Sequence, residues 1–407
     1  MANLLFLTQR LPYPPIKGEK IRPLQILKYL TQWHDVHLGC LIDDPADTAH
    51  IDTVRAWCRD IHVAPINRRV ARLTCLSGLL TGESLSVAFF RDRGLARWVR
   101  GVVDRVKPEV VFVNSSNMAP YILDLPRTGL RVVDLADVDS EKWRAYADAA
   151  RFPMRQIYRR EWRKVAALEQ RIARECDLST FVSDAEAKLF SDQAPHSSHR
   201  IMGVSSGVDH RYFDPAPGFA PLYDASLPTF VFTGTMDYPP NVDAVVWFAT
   251  EILPIVRRDV PNAQFYIVGN NPAEAVGRLA QLDGVHVTGR VADVRPYVFN
   301  AIAAVAPMRI ARGIQNKVLE AMSMAKPVIV TSGALEGIDA NPGTNILLAD
   351  DADSFAAAAV GLVLGAHGAS IGAAARRLVV EQYDWSARLA RYDHMLRPDA
   401  AQSGATS

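Results

Sequence analysis

The stretch TFVFTGTMDYPPNVDAVVWFATEILPIVRRDVPNAQFYIVG, residues 229–269, decides the fold. It opens on an apolar run rich in Phe and Val, turns at Gly234, carries a helical span over 241–259 and closes on a second apolar run ending at Gly269. Two continuous apolar strands joined by a helix lie parallel and are buried on both faces. The unit recurs downstream, where GVHVTG (284–289), AAVAPM (303–308), PVIVTS (327–332) and NILLAD (345–350) read as strands with helices between them. It recurs upstream at LLFL (4–7), DVHLGCLI (35–42), EVVFVN (109–114), LRVVDLAD (130–137) and LSTFVS (178–183), with a helix expected over 19–33. The fold class is therefore α/β, built from two doubly wound parallel sheets.

A chain of 407 residues exceeds one ordinary core. The sheets are assigned to an N-terminal domain over 1–205 and a C-terminal domain over 206–384. Prolines and turn residues over 209–228 read as the linker. A final helix is expected within 385–398, and the polar tail 399–407 is expected to be disordered.

Hydrophobic residues make up 49% and charged residues 22%, with a net charge of +1, which excludes a collagenous or disordered chain. No apolar run approaches the roughly 18 residues that span a bilayer. The start, MANLLFLTQR, lacks a basic leader region, so a signal peptide is not expected. Four cysteines without CxxC spacing (Cys40, Cys58, Cys75, Cys176) fit a reducing cytoplasm and argue against a zinc site.

The neutral total hides an asymmetry. Up to residue 204 there are 30 Lys+Arg against 24 Asp+Glu; beyond it, 15 against 20. Much of the basic excess lies in NRRVARL (67–73) and RFPMRQIYRREWRKVAALEQRIAR (151–174), where arginines interleave with Phe152, Met154, Ile157, Tyr158 and Trp162. Such a helix is either a solvated amphipathic face or an adhesion surface for anionic lipid. No nucleic-acid motif accompanies the charge.

Ligands of parallel sheets bind beyond the carboxyl ends of the strands. In the C-terminal domain those exits carry Gly234 and Asp237, Gly269, Gly289 and Val291, Arg309 to Gly313, and Gly333. The stretch ARGIQNKVLEAM (311–322) reads as a loop ending at Gly313 and a helix over 314–325. Cations are disfavoured in a first helical turn, because the macrodipole is positive there. Arg309, Arg312 and Lys317 crowd this start all the same, and a bound phosphate or diphosphate would remove the conflict. Gln315 and Asn316 add polar groups, and Glu320, one turn past Asn316, is placed to accept hydrogen bonds from a ribose diol. The pattern predicts a nucleotide-diphosphate ligand. Neither GxxxxGK[ST] nor a strand-following GxGxxG is present, which argues against a P-loop and a dinucleotide fingerprint. Asp137-Val-Asp139 is a DxD tripeptide, weak evidence for a metal by itself.

These residues resemble the retaining glycosyltransferases of family 4, which have the GT-B fold. The matching text is FVFTGTMDYPPN, FYIVGNNP, VHVTGRVADVRPY, VAPMR, GIQNKVLEAMSMAKPVIVT and LLADDADSFAAAA. In the first half it is RLPYPPIKGEKIR, DVDSEKWRAYA, and FVSDAEAKLF followed by GVDHRYFDP. The combination is similar to the sugar transferases of PEP-CTERM/exosortase exopolysaccharide loci, over roughly residues 3–396. The resemblance implies two Rossmann-like domains facing a cleft, with the C-terminal helix crossing back to the first. It implies a nucleotide-sugar donor on the C-terminal domain and a glycan or lipid-linked acceptor on the N-terminal one. It also implies retention of anomeric configuration, no required cofactor or metal, and a role in exopolysaccharide synthesis.

Carried over residue by residue, the resemblance puts Glu320 on the ribose and Arg312 where its relatives have a glutamate that positions the donor sugar. The basic pair that grips the diphosphate in the family has no counterpart in GTMDYPPN, so Lys317, with Arg309 or Arg312, is expected to take that role. Gly18 matches the glycine loop that approaches the donor, and Arg22 follows it. Asp137 stands where relatives often have a histidine and is the candidate base or sugar-positioning group, next to Lys317 as the second candidate catalytic residue. A nucleotide-sugar 2-epimerase of the same architecture and a non-catalytic nucleotide-sugar binder remain open. The basic N-terminal half suits peripheral contact with the inner face of a membrane.

Overall fold

The computed structural model describes every residue except 16, 17, 68, 72–74, 76, 77, 79–81, 225, 312, 366 and 398–407. Arg312, part of NRRVARL and the polar tail therefore lie outside the described residues. The chain forms two compact units, one made of Met1–Ser205 with the segment from Leu389 onward, the other of Ser206–Arg388.

The first unit holds a seven-stranded parallel sheet of β1 (Ala2–Thr8), β2 (His34–Ile42), β3 (Asp60–Pro65), β4 (Val110–Asn114), β5 (Leu130–Ala136), β6 (Leu178–Phe181) and β7 (Ile201–Gly203). Its order is β3-β2-β1-β4-β5-β6-β7. The second unit holds β8 (Thr229–Thr233), β9 (Gln264–Val268), β10 (Val285–Gly289), β11 (Ala303–Ala306), β12 (Val328–Val330) and β13 (Leu347–Leu348), in the order β10-β9-β8-β11-β12-β13. Every residue of β4 and β8 is buried, which is why these strands read as unbroken apolar runs. In both sheets the strand order reverses beside the first strand, between β1 and β4 and between β8 and β11, with every pair parallel. Such a switch point opens a crevice at the strand ends.

Several boundaries differ from expectation. The helix over 241–259 is Pro239–Trp247, a π-helical turn at Phe248–Ile252, and Leu253–Asp259. The helix expected over 314–325 is Asn316–Ser323. The short strands β3 and β7 were not expected, because partly exposed edges carry little apolar signal. Residues 209–228 are no free linker: Phe213 belongs to the second core, and Phe219 and Tyr223 pack against it. The final helix is broken into Trp385–Leu389, a 3-10 turn at Ala390–Tyr392, and Asp393–Leu396. In the first unit Tyr392 is buried, its hydroxyl 2.9 Å from Thr180 Oγ1, and Tyr29 hydrogen-bonds Asp393.

Candidate functional site

In the second unit the exits of β8 and β11 converge on Lys317. Its helix starts directly after Gln315, and no side chain caps that start. Unpaired N–H groups are therefore presented at the switch point. Lys317 Nζ donates to Asn241 Oδ1 at 2.8 Å, contacts Met308 Sδ at 3.5 Å and lies 4.7 Å from the centre of the Phe232 ring. Asn241 Nδ2 in turn donates to Thr235 O at 2.9 Å, so one amide joins the loop after β8 to the lysine. Burial among these groups lowers the ammonium to about 8, against the pull of Glu320.

Glu320 lies one turn further along and is partly accessible. Its carboxyl makes no hydrogen bond among the described residues. Desolvation pushes it up to about 7, opposed by Lys317. A partly desolvated carboxylate that the described residues leave without a donor is a poised acceptor. Tyr212 lies within electrostatic reach of it, and the Arg295 guanidinium stacks 3.9 Å from the Tyr212 ring while bridging to Asp293.

The backbone around Lys317 depends on two glycines. A Cβ on Gly269 would fall 1.6 Å from Gly234 O, and one on Gly234 would meet Asn241 Nδ2 at 2.8 Å. The exits of β8 and β9 could not approach otherwise. Gly289 and Gly313, with φ of +66° and +65°, face open space. Val291 is half-buried against the core, while Asn316 is half-buried at the first position of the helix. Gln315 Nε2 donates to Gly313 O, and Asp237 is exposed, accepting from Asn271 Nδ2 at 3.3 Å.

Two expected donor ligands are occupied elsewhere. Arg309 forks onto Asp243 at 2.6 and 3.1 Å and stacks over Trp247, along the outer side of Pro239–Trp247. Arg22 is buried in the first unit, bidentate to Asp134 at 2.7 and 2.8 Å and donating to Val204 O. Asp134 also accepts from Asn114 and Thr180. Arg22 is thus the centre of a buried polar network, and the carboxylate offsets the cost of burying its charge. Gly18 opens the helix Gly18–Leu30 in the same unit.

Asp137 stands at the exit of β5, after Ala136 in the left-handed region at φ +66°. It is exposed, yet desolvation, Glu186 and Asp139 together push its carboxyl up to about 6. Glu186 Oε2 accepts from Val138 N at 3.0 Å, and Glu169 Oε1 from Ser140 N at 3.2 Å. Burial raises Glu169 to about 8. Among the described residues no group of three or more His, Cys, Asp or Glu could hold a metal ion.

Asn241, Tyr212 and Glu186 were missed in the sequence. For Asn241 the signal was its place in PPN, just past a strand-exit glycine; for the other two no local signal exists.

The two parallel sheets with their flanking helices are those of the GT-B fold. Residues 227–364 match the family described as "Glycosyl transferases group 1". No curated protein matches the chain. Among solved structures it is similar to sucrose-phosphate synthase from Thermosynechococcus elongatus, at 15% identity and a TM-score of 0.68, covering 99% of this chain and 100% of that one. It is similar to Anabaena HepE in complex with UDP, at 14% identity and a TM-score of 0.64, covering 97% and 99%. It is also similar to a glycosyltransferase from Rickettsia africae, at 12% and 0.63, covering 97% of each. Residues 227–364, within the second unit, are thus similar to group 1 glycosyl transferases, and the chain has the GT-B fold.

Proposed function

We propose that the chain transfers a sugar from a nucleotide-diphosphate donor to a glycan or lipid-linked acceptor with retention, as the family 4 enzymes do, in exopolysaccharide synthesis. One observation carries the donor side: Lys317 at a helix start that no side chain caps, with a Glu320 carboxyl one turn on that has no hydrogen-bond partner among the described residues. The diphosphate sits on the N–H groups and Lys317, and the ribose hydroxyls donate to Glu320. A structure of Anabaena HepE with UDP-glucose, at 14% identity, supports the nucleotide-sugar class.

In this reading the bond from the anomeric carbon to the diphosphate oxygen breaks, and its electron pair leaves with the nucleoside diphosphate. Lys317 stabilises the charge on that oxygen. The acceptor hydroxyl attacks from the same face, and its proton passes to the departing phosphate. Asp137, its carboxyl raised to about 6, positions the acceptor or sugar. The reaction is proposed to run at the inner face of a membrane, a reading that the basic excess of the first half supports.

A thermal-shift screen across nucleoside diphosphates and their sugars tests this, since a ligand of the native state raises its melting temperature. One nucleotide should stand out, and radiolabelled transfer from its sugar conjugate should need an acceptor. Turnover without any acceptor would favour the epimerase. Binding without turnover would favour a sugar-nucleotide binder.

A further inference from the structure

The helix Asp139–Ala149 runs out from the exit of β5, and Met154–Glu175 returns beside it. The two helices meet through three rings: Trp143, Tyr146 and Tyr158 lie 5.7–5.8 Å apart, centre to centre. Tyr146 and Tyr158, with Ala149 and Ala150, line an open recess. Beyond them, at the turn, Phe152 is 83% exposed and Met154 42%. These two large apolar side chains face solvent at the turn, while the ring contacts that join the helices are made by Trp143, Tyr146 and Tyr158.

The charge around the tip is one-sided. Between residues 142 and 160 the chain carries six Lys and Arg and a single carboxylate, Asp148. Lys142, Arg144 and Arg160 are paired with Asp139, Glu141 and Glu161. Arg151, Arg155 and Arg159 form no ion pair among the described residues. Apolar side chains at the tip, free arginines around them and tyrosines one to two turns behind match the layers of an anionic bilayer surface. There acyl chains take the apolar groups, phosphates the guanidinium groups, and the interfacial zone the aromatic rings.

We propose that this hairpin tip docks on an anionic phospholipid surface, with Phe152 and Met154 entering the acyl boundary and Arg151 and Arg155 on headgroup phosphates. The hairpin starts two residues after Asp137, and its first helix is about 16 Å long at 1.5 Å per residue. The tip thus sets the β5 exit at a fixed height above the lipid, within reach of the headgroup of a membrane-embedded acceptor. Docking is independent of the donor chemistry, so its failure would leave the transferase reading intact.

The test is co-sedimentation of the full chain with vesicles of phosphatidylcholine containing about one-third phosphatidylglycerol, against pure phosphatidylcholine. Wild type should sediment with the anionic vesicles, release in high salt and ignore the neutral ones. Neutralising both cations in R151Q/R155Q should weaken binding roughly twenty-five-fold, at about fivefold per cation. F152S/M154S should weaken it by about tenfold or more. All four positions are exposed, so melting curves should match wild type; if F152S/M154S melts early, R151Q/R155Q decides. Wild type that ignores anionic vesicles, or variants that bind like wild type, would overturn the proposal. So would a concentration-dependent dimer abolished by F152S/M154S, which would assign the tip to a second copy of the chain.

Discussion

Lys317 Nζ and Asn241 Oδ1, 76 positions apart in sequence, meet at 2.8 Å across the switch point of the second sheet. The contact holds a desolvated ammonium at the start of a helix, where it would otherwise be repelled. It leaves that charge facing the place where a diphosphate would sit.

Removing the charge should cost the reaction most. Lys317→Ala is expected to lower turnover about a hundredfold or more, in line with the loss of one preorganised stabiliser of a developing charge. Initial rates with saturating donor measure it, and rates near wild type would remove Lys317 from the mechanism. Asn241→Ala should give a smaller loss of roughly tenfold, together with a stability loss of about 1 kcal/mol from the unmet Thr235 carbonyl.

Donor affinity should depend on pH between the two titrations. Glu320 accepts from both hydroxyls of a diol most strongly when ionised, above about 7, and Lys317 holds its charge below about 8. Nucleoside diphosphate binding, followed by calorimetry, should therefore peak between those values and lose its acidic limb in Glu320→Gln. Stability of the free protein carries the opposite sign. A carboxyl raised in the folded state binds more protons there than in the unfolded chain, so stability falls as pH climbs from about 4.5 to about 7. Denaturant unfolding of Glu320→Gln should lack that fall.

Arg22 should behave as a structural residue. Arg22→Ala leaves the Asp134 carboxylate buried without its partner and is expected to cost about 3–5 kcal/mol. The melting temperature should drop while the donor KM of the folded fraction stays near wild type. A raised donor KM at unchanged stability would return Arg22 to the donor site.

Arg309→Ala should do little. Its pair with Asp243 is half exposed and contributes about 1 kcal/mol or less. Donor KM within about twofold of wild type is the expected outcome of steady-state kinetics.

Arg312 carries the sharpest prediction about donor choice. A cation where the resemblance to family 4 implies a glutamate should favour an acidic sugar such as a uronate. Donor profiling of wild type and Arg312→Ala checks it, and a neutral-hexose preference untouched by the substitution would rule it out.

By itself the sequence determined the α/β class, the parallel sheets and the helix start at the switch point, because each is written in local pattern. A strand such as β8, buried on both faces, has to be apolar through its centre, and a glycine has to follow where two exits touch. It also singled out Lys317, whose oddity against the helix dipole is visible locally, and Glu320 one turn on. Only the tertiary structure decided what the cations bind. The partner of Arg22 lies 112 positions away and that of Arg309 lies 66 away. No local pattern encodes such pairings, so arginines that look alike in sequence divide into a buried network and a surface clasp. The same holds for Asn241, an ordinary helix-start residue until the fold sets its amide against Lys317.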